Sequence, residues 1–201
     1  MQRNHSQQKP LHTKIIRTLA LCGAIAGPTA HAADVHGVFG VGYNGGGDKL
    51  ATLTFTNGDT ESIDANAGLF LHGGLIFYPE RRSDFGTQIT LGYQFDGSLA
   101  ENGNAEFTVI PLEVMQFINF SRARVGLGVT LHIDPQIDGD GIVNNLTFNF
   151  DDAAGVIAQF EFRFAENLSA GVRVTAIEYD GPGLTKEVSG NSVGGVFSVV
   201  F

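Results

Sequence analysis

The chain has 201 residues with 27 glycines, one cysteine and no tryptophan, and its 12 Lys+Arg against 21 Asp+Glu leave a net charge of −9. Four of the bases, Arg3, Lys9, Lys14 and Arg17, fall in residues 1–32, which hold no acid, so the remainder carries a net charge of −13. Such a chain has no basic surface for nucleic acid, and nowhere does it hold the run of about 18 apolar residues that a membrane-spanning helix needs.

Residues 1–32 read as a secretory signal. A cationic start leads into a short apolar core at 19–26, Gly27 and Pro28 break it, and Ala30-His31-Ala32 predicts cleavage before Ala33. The apolar core is too short to cross a bilayer. Cys22 follows Leu21, a large residue for the position before a lipidated cysteine, which argues against a lipoprotein. The cysteine leaves with the signal, so the expected mature domain, residues 33–201, needs no disulfide.

From there the pattern is period two. The first strand is expected from Val35 through Tyr43, continuing past Gly45 to Phe55, where Asn57-Gly58 marks a hairpin turn. The second returns over 60–77. The third, 85–95, puts Phe85, Ile89, Leu91, Tyr93 and Phe95 on one face and Gly86, Gln88, Thr90, Gly92 and Gln94 on the other. The fourth spans 107–118 despite Pro111, a residue that sheets tolerate poorly. The fifth, 124–133, alternates Val125, Leu127, Val129, Leu131 and Ile133 with Arg124, Gly126, Gly128, Thr130 and His132. The sixth (154–164), seventh (168–179) and eighth (191–201) repeat the pattern, the last ending on Phe201.

The connections alternate in length. Those at 79–84, 119–123 and 165–167 are short, and those at 96–106, 134–153 and 180–190 are long. An even number of antiparallel strands with tight turns at one end and long loops at the other is the pattern of an outer-membrane barrel, with short turns and both termini in the periplasm. The long loops and the first hairpin are acidic, whereas Arg81, Arg82 and Arg122 lie in the short turns. Phe77, Phe85, Phe162, Phe164 and Phe201 gather near one boundary and Tyr43, Tyr93 and Phe95 near the other, as aromatic girdles do.

A soluble sandwich or lipocalin-like barrel would invert the same pattern, with the apolar face inside, and periodicity alone does not separate the two. The glycines on the polar faces (Gly40, Gly42, Gly74, Gly86, Gly92, Gly126, Gly128, Gly155 and Gly171) favour the membrane barrel, because small residues suit its crowded inside. With the export signal, the eight alternating segments and the terminal Val-Phe-Ser-Val-Val-Phe, the chain resembles the small eight-stranded outer-membrane β-barrels of the OmpA/OmpX-type superfamily over its whole mature length. The resemblance implies an all-β, up-and-down transmembrane barrel in the outer membrane. It also implies that Phe197, Val199 and Phe201 carry the signal read by the barrel-assembly machinery. Members of that superfamily serve as structural proteins, adhesins or lipid-modifying enzymes, so fold does not settle function.

The inward face offers Glu113, Arg124, Glu161, Arg163 and Arg173 with His72 and His132. Buried charges persist only when paired. Glu161 and Arg173 stand nearly level across the 165–167 turn, which predicts a Glu113–Arg173–Glu161 network obstructing the lumen of a monomer that contacts outer-membrane lipid and lipopolysaccharide. A lipid A deacylase or palmitoyltransferase needs a nucleophile, a base and an orienting acid together. His132 and Asp134 share a parity and form a candidate dyad, without a matching serine, so no catalytic site is assigned. A small-solute channel is the other alternative, disfavoured by the charged, glycine-rich lumen. Asp138-Gly-Asp140-Gly141 resembles a fragment of a calcium loop but lacks its full spacing and distal Glu. It is a weak metal candidate, and no cofactor is expected. Thr52, Thr54, Phe55 and Thr56 read as an exposed edge able to recruit a partner strand.

Overall fold

The computed structural model describes residues 34–54, 57–80, 83–100, 103–141 and 146–201. The expected signal segment 1–32 lies outside them, as do Phe55 and Thr56 of the expected edge and Arg81 and Arg82. In chain order the described strands are β1 (Asp34–Gly46), β2 (Lys49–Thr54), β3 (Thr60–Asp64), β4 (Gly68–Tyr78), β5 (Phe85–Ala100), β6 (Gly103–Asn119) and β7 (Ala123–Gly141). β8 (Leu146–Asn149), β9 (Ala153–Arg163), β10 (Leu168–Ala176), β11 (Glu178–Tyr179), β12 (Val188–Ser189) and β13 (Ser192–Val200) follow.

Eight of the described strands close on themselves, all antiparallel: β1, β4, β5, β6, β7, β9, β10, β13 and back to β1. The alternation of the sequence becomes the two faces of this wall. Val38 is 2% exposed and its neighbour Phe39 49%; Gly126 is buried and Leu127 is 67% exposed. The apolar face is therefore outside, the reverse of a soluble sandwich. Register joins the outward residues around the barrel: Val41 stands beside Phe197 and Leu71, Leu71 beside Tyr93, and Val125 beside Ile118 and Phe160. An apolar belt of this kind is unstable in water and suits hydrocarbon. Among the described residues no helix is long and apolar enough to cross a membrane.

One end carries the three short turns and both ends of the described segment; Phe201 and Gly37 exchange two backbone hydrogen bonds there, 2.7 and 2.9 Å. The other end departs from expectation. The connections at 96–106 and 134–153 are largely not loops: β5 and β6 run on to Ala100 and from Gly103, and β7 continues to Gly141 with β8 paired back on it. β7 passes its expected end through a bulge opposite Thr108–Ile110, where Asp134 takes φ +51°. Pro111 sits beside this irregularity, in a gap of the β5–β6 ladder, and so is accommodated within the wall. The first two expected strands are also divided. Positive φ at Gly46, Gly47, Asn66 and Gly68 bends the chain on both sides, and β2 and β3 form a separate two-stranded sheet. The seventh strand is likewise interrupted at Ile177, with β11 pairing β12.

Candidate functional site

Charges enter the barrel interior from four strands and meet in two pairs. Arg173 on β10 donates to Glu113 on β6 at 2.8 Å, both side chains nearly fully buried. Thr90 adds a hydrogen bond to Glu113 at 3.2 Å, and the Arg173 guanidinium lies 4.5 Å over the Phe70 ring. Arg124 and Glu161 are register partners on β7 and β9 and bond at 2.7 Å. Glu161 also accepts from Gln159 and Ser169, and from Ser198 at 3.4 Å, while the Arg124 guanidinium lies 4.3 Å over Phe117. Each carboxylate thus has an arginine and at least one further donor, the arrangement that offsets the cost of removing ions from water. Apolar residues share this interior: Val38, Ile76, Val196 and the cluster Met115, Phe117 and Ile157 are all buried.

His72 lies against Gly40, where any Cβ would overlap its ring, and neither ring nitrogen has a protein partner among the described residues. His132 is bonded through Nδ1 to the Tyr179 hydroxyl at 2.7 Å. Tyr179 belongs to a second core that closes the extended end. Ile63, Ala65, Phe107, Ile137, Phe150 and Ile177 pack with it, drawn from β3, β6, β7, β11 and the connections between them. Burial pushes the Tyr179 hydroxyl up from its ordinary value.

Polar contacts tie the β2–β3 arm onto this core. Asn66 donates to Gly190 O at 2.7 Å and Ser192 Oγ at 3.0 Å. Asp48 N–H bonds Ser189 O at 2.6 Å, and Ser189 N–H bonds Asp48 Oδ2 at 2.9 Å. At the short-turn end a cavity of about 190 Å³ remains, lined in part by His36, Tyr78, Arg124, Arg163 and Ser169.

No family model matches the chain, and no curated protein sequence matches it. Solved structures do. Ail, the attachment invasion locus protein of Yersinia pestis, in complex with the heparin analogue sucrose octasulfate, is similar over 85% of this chain and 100% of its own, with a TM-score of 0.50 and 10% identity. This chain has the fold of the small outer-membrane β-barrels. Neisserial surface protein A is similar over 85% of this chain and 100% of its own, at a TM-score of 0.46 and 12% identity.

Within this barrel the residues singled out from sequence are distributed as follows. The expected three-residue network is not what the structure holds: Glu113 pairs with Arg173, and Glu161 pairs with Arg124 instead. The register partners of Glu161 are Arg124 and Gly171, whereas Arg173 faces Gln159. Arg163 is half-buried at the short-turn rim. The His132–Asp134 dyad is absent: the bulge turns Asp134 out to solvent, while His132 stays inside on Tyr179. The 138–141 segment is not a loop, since Asp138 and Asp140 lie in β7, paired with Glu106 and Asn104 of β6. Among the described residues no group of three or more His, Cys, Asp and Glu is placed to hold a metal. Phe197 and Phe201 face outward and Val199 is half-buried; Phe197 meets Phe164 with ring centroids 5.8 Å apart.

The apolar cap was missed from sequence. Its signal is faint: single apolar residues such as Ile63, Ile137 and Phe150 in segments that are otherwise polar.

Proposed function

We propose that the chain is an integral outer-membrane protein with a plugged lumen and an acidic outer face, acting in a structural or surface-interaction role rather than as an enzyme or channel. The observation that carries this is the pair of buried ion pairs inside the barrel. The Glu113–Arg173 and Arg124–Glu161 contacts, the buried side chains around them and the apolar cluster at the extended end support the reading of an obstructed lumen. In this reading residues 1–32 are removed on export, 33–201 form the barrel, the short turns face the periplasm, and Phe197, Val199 and Phe201 are read by the assembly machinery. The barrel is a monomer surrounded by outer-membrane lipid and lipopolysaccharide.

Ail was solved with a heparin analogue, a polyanion. The cap end here carries Asp48, Asp59, Glu61, Glu106, Asp134, Asp138, Asp151, Asp152 and Asp180 against Lys49 and Lys186. That charge repels polyanions and fits a cationic partner. Against catalysis stands the loss of the His132–Asp134 dyad. Planar-bilayer recording of the purified monomer tests the plug, with no large steady conductance expected. Cysteines placed at Asp59 and Ser121 test the topology: a membrane-impermeant label on intact cells should reach the first and not the second. Steady open conductance, or labelling at Ser121 alone, overturns the reading.

A further inference from the structure

The cavity of about 190 Å³ at the short-turn end lies inside the wall. It is lined by His36 of β1, Tyr78 of β4, Arg124 of β7, Arg163 of β9, Ser169 of β10 and Val200 of β13. Arg124 and Ser169 are buried and both hold Glu161, so the Arg124–Glu161 pair closes the cavity on its inner side. Glu161 also balances the charge of Arg124, which leaves two charges on the lining. Arg163 is half-buried at the end of β9, and Glu166 is exposed in the turn that follows; both line this cavity. Neither forms an ion pair among the described residues, with each other or with a third group. His36 is engaged elsewhere: its Nε2 lies 3.3 Å from Asp34 Oδ2, and its ring meets Tyr78 edge-on, centroids 5.7 Å apart.

We propose that this cavity binds a small zwitterion, an α-amino acid with a short apolar side chain, its carboxylate on Arg163, its ammonium on Glu166 and its side chain against Leu168 and Val200. A simple anion drawn to Arg163 is repelled by Glu166, and a simple cation drawn to Glu166 is repelled by Arg163. A ligand carrying both charges satisfies both groups. The guanidinium fork matches the two oxygens of a carboxylate, and a primary ammonium brings N–H donors to Glu166. Arg124 commits Nη2 to Glu161 and keeps further N–H donors for the same carboxylate. Arg163 and Glu166 flank one tight turn, so their charges stand close together, as the two charges of an α-amino acid do on one carbon. The cavity has the volume of about six waters at ~30 Å³ each, room for one small amino acid. Leu168 and Val200 supply the apolar part of the lining.

The test is nuclear magnetic resonance of the folded full-length chain in micelles, following the amides of Leu168, Ser169 and Val200. The probes are valine, 3-methylbutanoate and 2-methylpropylamine, which share one side chain and differ in their charges. Valine should shift these amides with a Kd of about 1 mM, because the mouth is open to water. Each single-charge probe should bind about five-fold more weakly, the scale of one surface ion pair. Glu166→Gln should erase the advantage of valine over 3-methylbutanoate, and Arg163→Gln its advantage over 2-methylpropylamine. Both changes lie at the wet rim, and heat-dependent gel mobility verifies that each variant is folded. Trialanine, whose two charges stand farther apart, should bind no better than 3-methylbutanoate. The cavity belongs to the barrel interior whichever compartment the short turns face, so these results are independent of the conductance and labelling tests. No shift with about 10 mM valine, ten times the expected Kd, overturns the proposal. So does equal binding of valine and 3-methylbutanoate by the unaltered chain, an advantage of valine that survives in either variant, or trialanine binding as tightly as valine.

Discussion

Arg173 on β10 and Glu113 on β6 meet at 2.8 Å across the barrel interior, with β7 and β9 standing between their strands in the wall. The pair therefore braces strands that share no backbone hydrogen bonds. Removing one partner leaves the other charge buried and alone, so Glu113→Ala should cost about 3–5 kcal/mol. Glu113→Leu with Arg173→Leu should recover more than half of that loss, because no lone charge remains. Urea unfolding in detergent, followed by far-ultraviolet circular dichroism, measures both. A double variant as unstable as Glu113→Ala would mean that shape, not charge, holds this level of the barrel.

The barrel wall was legible because each strand repeats one simple pattern. At 85–95 every second residue faces the belt, and the burial of Gln88, Thr90 and Gln94 follows that parity. The cap was not legible, because its members come singly from distant segments, and only closure of the barrel brings Ile63 and Tyr179 together. The pairing of Glu161 was misjudged for a related reason. The 165–167 turn relates β9 to β10 and puts Arg173 near Glu161. Arg124, directly opposite on the other side, depends on the β7–β9 register, which a long connection separates in sequence. The bulge at Asp134 flipped the parity of β7 with no glycine or proline at the site of the positive φ to announce it, although Pro135 follows.

The cap should loosen independently of the barrel. Gly47 has φ +87°, and a Cβ there would run into the Ala65 carbonyl, whose own N–H bonds Asp48 O at 2.9 Å. Gly47→Ala costs about 1–2 kcal/mol for the left-handed backbone alone. Amide exchange in β2 and β3 should accelerate about ten-fold or more while β9, β10 and β13 stay protected. Equal acceleration throughout would show that cap and wall unfold as one unit.

Tyr179 should act through its hydroxyl as well as its ring. Tyr179→Phe keeps the contacts with Phe107 and Phe150 but strips the buried His132 of its partner. The expected cost is about 1–3 kcal/mol, the penalty for a buried polar group left unmatched. Tyr179→Ala should cost about 3–5 kcal/mol, because it also opens a cavity in the cap. If Tyr179→Phe proves neutral by urea unfolding, the bond to His132 contributes nothing beyond what water supplies.

Asp96 should make the cap sensitive to pH. It lies on the cap side of the belt, and its Oδ2 accepts from Asp64 N–H at 3.3 Å. Burial pushes its carboxyl above the ordinary value of 3.8; the Asp64 N–H opposes this, and the Asp64 and Glu61 carboxylates reinforce it. A folded value above the unfolded one means that the protonated form is favoured in the fold. That contribution is fully present below 3.8 and is lost as pH rises through the raised value. Asp96→Asn keeps a carbonyl acceptor for Asp64 and removes the charge. At pH 7 it should stabilise the cap by up to about 1 kcal/mol, a modest figure because the site is only partly buried. The advantage should shrink as pH falls and vanish once Asp96 is protonated in both states. Amide exchange of β3 across that range, variant against unaltered chain, reads the difference directly, and a gap that stays constant with pH would exclude Asp96 as its source.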